Sequence, residues 1–105
     1  MGPVTESLCA ILAELNELLS AHGEVHWGAW VQWDLQRIRA GDMGGVDYLL
    51  SAYGGMGSFN DLILHPVNGH NLAVSEVERV NSHLATLRSR AWEVAHQVSC
   101  VAVVE

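Results

Sequence analysis

The chain has 105 residues, half of them hydrophobic, which is enough for one domain with its own core. Twelve acids against five arginines, with no lysine, leave a formal charge of −7. That charge argues against nucleic acid and anionic membrane as partners, because both select basic patches, and it permits a basic protein partner drawn in by electrostatic steering.

In chain order, the first helix is predicted from about Thr5 to Ala21. Leu8, Ile11, Leu15 and Leu18 recur at 3–4 spacing, and Leu12 and Leu19 widen the stripe. Thr5 is placed to cap the start, Glu6 suits the positive end of the helix dipole, and Gly23 marks the stop. The second helix is predicted from about Glu24 to Ala40, with Gly41 after it. Trp27, Val31, Leu35 and Ile38 share one face, Trp30 flanks them, and Trp33 lies further round toward solvent. Asp34 projects into the middle of the apolar stripe, where a carboxylate has to be hydrogen-bonded or protonated. Its expected partners are N–H groups of the glycine loop described next, or the Tyr53 hydroxyl.

Asp42-Met43-Gly44-Gly45 reads as a turn, followed by a short helix over about Val46 to Tyr53. Then comes Tyr53-Gly54-Gly55-Met56-Gly57-Ser58-Phe59-Asn60-Asp61-Leu62, with three glycines in four residues. Glycine is entropically expensive in a compact domain, so the cluster implies positive φ or a close approach of another group. Gly54 and Gly55 are read as a helix stop, and Ser58-x-x-Asp61 has the spacing of a new N-cap. The loop lacks the Gly-Lys-Ser/Thr of a P-loop and the strand–turn–helix setting of a dinucleotide fingerprint. Leu62–Leu64 is brief and apolar, and His65 to Asn71 is a Pro- and Gly-containing loop. The last helix is the most regular. Ser75-x-x-Glu78 suggests a capping box, and Val77, Val80, Leu84, Leu87, Ala91, Val94 and Val98 form a long seam. The expected fold is a single all-α domain, a small bundle of four helices. The alternative is α+β, with Leu62–Leu64 and Val101–Val104 as a minimal strand pair.

Cys9 and Cys100, the only cysteines, form neither a disulfide framework nor a zinc motif, and they would be near enough to bridge only if the terminal helices pair antiparallel. No basic n-region opens the chain and no apolar run approaches the roughly 18 residues of a membrane span, so a cytoplasmic location is expected. His22-Gly23-Glu24-Val25-His26 is not a zinc-protease motif, since Gly23 breaks the helix between the imidazoles. His65 and His70 share a loop just after Asn60 and Asp61 and are the weak metal candidates. No cofactor is expected.

The Trp-containing helix followed by Gly54-Gly55-Met56-Gly57-Ser58-Phe59-Asn60-Asp61-Leu62 resembles a small bacterial family of uncharacterised domains with a Gly-Gly-Met-Gly-Ser-x-Asn-Asp-Leu motif. The resemblance covers most of residues 8–70 and implies no catalytic residue. Small size and acidity also resemble the immunity proteins of bacterial toxin systems.

Three functions follow as expectations. The first is a non-catalytic binding domain of immunity type. Acids including Glu14, Glu17, Asp42 and Asp47 would meet a basic partner such as a toxin. Its binding residues would be Trp33, Asp34, Asp42, Asp47, Tyr53, Gly54, Gly55, Gly57, Ser58, Asn60 and Asp61. The second is a small-ligand or metal-dependent enzyme with Asp34, Asp61, His65 and His70 converging beside the glycine loop. The third is a homo-oligomeric module using Trp33 and the C-terminal valines.

Overall fold

The computed structural model describes residues 2–54 and 57–104, with side chains through 99. Four helices carry the fold: α1 (Pro3–Ala21), α2 (Val25–Arg39), α3 (Gly44–Ser51) and α4 (Val77–Val104). No strand occurs among the described residues. The α+β alternative is therefore overturned: the backbone of α4 continues helically through Val104, and Leu62–Leu64 is a non-helical connection.

α1 begins at Pro3, two residues ahead of the expected Thr5 start, with Gly2 as N-cap. Proline suits the first helical position because the N–H it lacks would have no intrahelical partner there. Leu8, Ile11, Leu12, Leu15 and Leu19 are buried as the stripe requires, and Cys9 joins them. The chain turns at Gly23, φ 73°, and α2 starts where the Glu24 carboxylate accepts the Trp27 N–H at 2.7 Å. α2 buries Val31, Leu35 and Ile38 and packs against α1 and α3, and Gly41 at φ 88° ends it.

α3 starts at Gly44 rather than Val46, because Asp42 Oδ1 accepts the Gly44 N–H at 3.0 Å and caps the helix early. It ends at Ser51, with Ala52 as C-cap in ordinary helical geometry. Gly54 has no positive φ and does not make the stop predicted for it. Gly55 lies outside the described residues. α4 also departs from its predicted start. Its first turn is a 3-10 turn, Val74–Glu76, in which Glu76 Oε1 accepts the Ala73 N–H at 3.0 Å. The Ser75/Glu78 box does not form, since Glu78 already lies inside the helix.

α1 packs against both α2 and α4, and α3 bridges α2 and α4. The α4 seam is Val80, Leu84, Leu87, Ala91, Ala95 and Val98, with Val94 only half-buried. At 28 residues, α4 sets the 46 Å long axis of the molecule. Cys9 is buried on α1, and burial pushes its thiol pKa up. The Cys100 side chain, and so the question of a bridge, lies outside the described side chains.

The long connection from Ala52 to Ala73 is held by side chains instead of a sheet. Asn81 of α4 acts as a substitute strand: its Oδ1 accepts the Leu64 N–H at 2.8 Å, and its Nδ2 donates to the Leu64 carbonyl at 2.7 Å. Leu64 is thereby buried without an unpaired backbone group. Arg88 Nη1 donates to the carbonyls of Phe59 and Leu62 at 2.8 and 2.9 Å. Further on, Asn71 and His22 join the connection to the α1–α2 corner, with the Asn71 N–H donating to the His22 carbonyl at 2.8 Å.

Candidate functional site

The glycine loop is a capped turn whose cap differs from the one predicted. Gly57 has φ 77°, and its N–H donates to Asp61 Oδ2 at 2.7 Å. Asp61 therefore does the capping expected of Ser58. The Ser58 hydroxyl is buried without a hydrogen-bond partner among the described residues. Ser58 precedes a 3-10 turn, Phe59–Asp61, that drops Phe59 fully into the core between Trp27 and Tyr53, at ring distances of 5.1 and 5.8 Å. The Tyr53 hydroxyl donates to the Arg88 carbonyl at 2.8 Å. Burial pushes the Tyr53 phenol up and the Arg88 guanidinium down. Beside the loop lies a shallow groove of about 240 Å³ lined by Tyr53, Asn60, Ser89, Trp92 and Glu93.

Asp34 is fully buried, as its place in the stripe implied, but not with the predicted partners. It faces the start of α3, and neither of its oxygens has a hydrogen-bond partner among the described residues. A Cβ on Gly45 would sit 3.2 Å from Asp34 Oδ1 and 2.9 Å from Ile38 Cγ1, so only glycine lets α3 approach this closely. The neighbouring N–H groups are already used. Gly44 donates to Asp42 Oδ1, Gly45 to the Asp42 carbonyl and Val46 to the Met43 carbonyl. Burial pushes the Asp34 pKa up to about 7 against an opposing pull from Arg37, and Asp42 adds to the rise. Asp34 is thus held toward its protonated form, as expected of a carboxyl without donors in an apolar seam.

On the solvent side of the same two helices lies an aromatic face. Trp33 and Tyr48 are 52% and 41% exposed and meet edge to face at 5.8 Å. The Arg37 guanidinium sits 4.9 Å from the Trp33 ring centre and 5.6 Å from that of Tyr48. Arg37 Nε also donates to Asp42 Oδ2 at 3.0 Å. That bond, together with the Gly44 N–H, holds the Asp42 carboxyl below the usual range. Trp30 backs Tyr48 at 5.0 Å and Trp27 at 5.6 Å, so the exposed rings are the outer end of a ladder that reaches the core at Phe59. Asp47 is exposed beside Tyr48 in the sequence.

The remaining predicted residues are not brought together. The ring of His70 pairs with Glu24 at 3.2 Å, and its Nδ1 accepts the His65 N–H at 3.0 Å. His65 Nδ1 accepts the Val67 N–H at 3.0 Å. One ring nitrogen of each is thus spent on the backbone, and no three metal-ligating side chains cluster among the described residues. Glu24, which holds His70, caps the start of α2, and Asp34 lies ten residues later, about 15 Å along a helix axis. Asp34 and His70 therefore do not share a site. The predicted acids are also divided: Glu14 and Glu17 line a shallow depression with Leu18 and His83 between α1 and α4, whereas Asp42 and Asp47 belong to α3 and its cap.

Several residues of this region were missed by sequence reasoning: Arg37, Tyr48, Gly45, Asn81 and Arg88. A legible signal existed for Arg37, which follows Trp33 by four residues on a helix, the spacing at which side chains meet. For the others the partner lies on a different element.

The class defined by this geometry is a small all-α domain with a buried acid beside an exposed aromatic face. The chain belongs to the family described as a domain of unknown function (DUF6966), whose match covers residues 20–73. The matched stretch holds α2, α3 and the glycine loop, and so includes Trp33, Asp34 and Tyr48. No curated protein and no solved structure matches the chain.

Proposed function

We propose that this chain is a non-catalytic protein-binding domain that docks a basic protein partner on the α2–α3 face, with Trp33 and Tyr48 as anchors. The observation carrying the reading is the pair of half-exposed aromatic rings locked by Arg37. Trp, Tyr and Arg are the residue types that dominate binding energy at protein interfaces, and rings already held in place lose little freedom on docking.

Charge supports the choice of partner. Glu6, Glu14, Glu17, Asp47, Glu78 and Glu93 are exposed and make no side-chain hydrogen bond or ion pair among the described residues, whereas only Arg39 and Arg90 do so on the basic side. The field around the molecule is acidic and steers a basic protein toward it, while the rings supply the short-range contact. Neutralising a basic toxin, as an immunity protein does, is the narrower form of this reading.

The test is a pulldown of the tagged chain against the products of neighbouring genes at low and high salt. One basic protein is expected to be retained at low salt and weakened at high salt, and Trp33→Ala is expected to lose it by at least tenfold in affinity, the loss of one hot-spot residue of about 1.4 kcal/mol or more. Retention that ignores both salt and Trp33→Ala refutes the proposal.

A further inference from the structure

We propose that Asp34 is a proton-operated latch: protonated, it lets α3 seat closely on α2, and ionised, it loosens α3 and with it the Tyr48 half of the docking face. The second clause rests on the docking proposal above, and the first stands without it.

The geometry is that of a latch because no hydrogen-bond donor among the described residues meets the carboxylate between the two helices, and the Arg37 charge offsets only part of the cost of burial. Asp34 is fully buried, both its oxygens lack partners among the described residues, and the Gly45 backbone lies so close that a Cβ there would meet Ile38 Cγ1 at 2.9 Å and Asp34 Oδ1 at 3.2 Å. The N–H groups of Gly44, Gly45 and Val46, which could have solvated a carboxylate, are occupied by Asp42 and Met43. The charged groups acting on Asp34 are Arg37 on its own helix and Asp42 in the turn before α3, with opposite effects. Arg37 is already bonded to Asp42 and is aligned with the Trp33 and Tyr48 rings. From α3, the residue facing Asp34 is Gly45. On the buried face of α1 the one titratable side chain is Cys9, which burial holds in its neutral form and whose charged neighbours are Arg39 and Glu6. Ionisation in such a seam is relieved by admitting water, and the element that gives way is α3, with eight residues against nineteen in α1 and twenty-eight in α4. The upward shift of the Asp34 pKa to about 7 puts this event in the neutral range.

Backbone amide hydrogen exchange tests the latch on the isolated chain. The α3 amides are expected to exchange faster than those of α1 and α4. Their protection, corrected for intrinsic exchange, is expected to fall on the order of tenfold between about pH 5.5 and about pH 8. Asp34→Asn, which keeps the shape and cannot ionise, is expected to remove that fall. The variant leaves the six histidines in place, so a pH dependence that survives it does not come from Asp34. A carbon-13 titration of the Asp34 carboxyl in the unmodified chain gives an independent reading. If α3 exchanges only in step with α1 and α4 at both pH values, if Asp34→Asn keeps the pH dependence, or if the carboxyl titrates in the ordinary range near 4, the latch is refuted. None of these readouts uses a partner, so failure of the docking proposal is seen separately, in the pulldown.

Discussion

Asp34→Asn should make the protein more stable at and above neutral pH, and the size of the gain follows from the structure. An unfolded Asp34 has its ordinary pKa of 3.8, whereas the buried one is pushed up to about 7. Below pH 3.8 both states carry the proton, so burial of the carboxyl adds no pH-linked penalty. As pH rises from there the unfolded state loses its proton first, and stability falls with it. The fall ends once the folded carboxyl also ionises, above about pH 7. Three pKa units correspond to about 4 kcal/mol of accumulated destabilisation. Asparagine abolishes the titration but leaves a buried amide without partners, at a cost comparable to that of the unpaired acid. The expected difference is therefore small at about pH 4 and grows to about 2–4 kcal/mol in favour of the variant by about pH 8, ten degrees or more in melting temperature for a domain of this size. Urea denaturation of both proteins across that range measures it. A difference that does not change with pH, or a variant less stable at pH 8 than the parent, would refute the reasoning, because either result requires a donor to the Asp34 carboxylate.

Two further predictions concern the connection between α3 and α4. Asn81→Ala removes both bonds to the buried Leu64 backbone and should cost about 2–4 kcal/mol, read as a lower denaturation midpoint, since an N–H and a carbonyl are left unpaired in the core. Gly54→Ala and Gly57→Ala should differ in sign. Gly54 has ordinary φ and, among the described residues, nothing within 4 Å of its missing Cβ, so alanine there should be neutral or stabilising by up to about 1 kcal/mol. Gly57, at φ 77°, should lose about 1 kcal/mol or more on the same substitution, and equal melting temperatures for the two variants would contradict the assignment.

The glycine loop is the part of the chain where local reading and structure diverge most. Its composition advertised a special backbone, and one described glycine, Gly57, has one. Yet the helix before it ends without using Gly54, and the cap comes from Asp61 instead of Ser58. A Ser-x-x-Asp spacing allows either residue to act as acceptor, and which one does so depends on where Phe59 is pulled. The core pulls Phe59 inward between Trp27 and Tyr53, which turns Ser58 in with it and leaves Asp61 at the surface facing the Gly57 N–H.

What the sequence by itself determined about this protein is whatever repeats along a single helix. The leucine stripe of α1, the α4 seam, the all-α class, the burial of Asp34 and the exposure of Trp33 are all consequences of 3.6-residue periodicity, which is a local property. The starts of α1 and α3 each moved by two residues, to Pro3 and Gly44, because the groups that begin them lie outside the apolar pattern. The tertiary structure alone decided which distant groups meet. It set Gly45, and not the later glycines, over Asp34. It gave Leu64 to Asn81 and the Phe59 and Leu62 carbonyls to Arg88. It spent His65 and His70 on the backbone and on Glu24, which removed the constellation their spacing had suggested. Those pairings span up to 46 residues of chain and depend on how four helices pack, a relation between surfaces that carries no signature in the order of residues along any one of them.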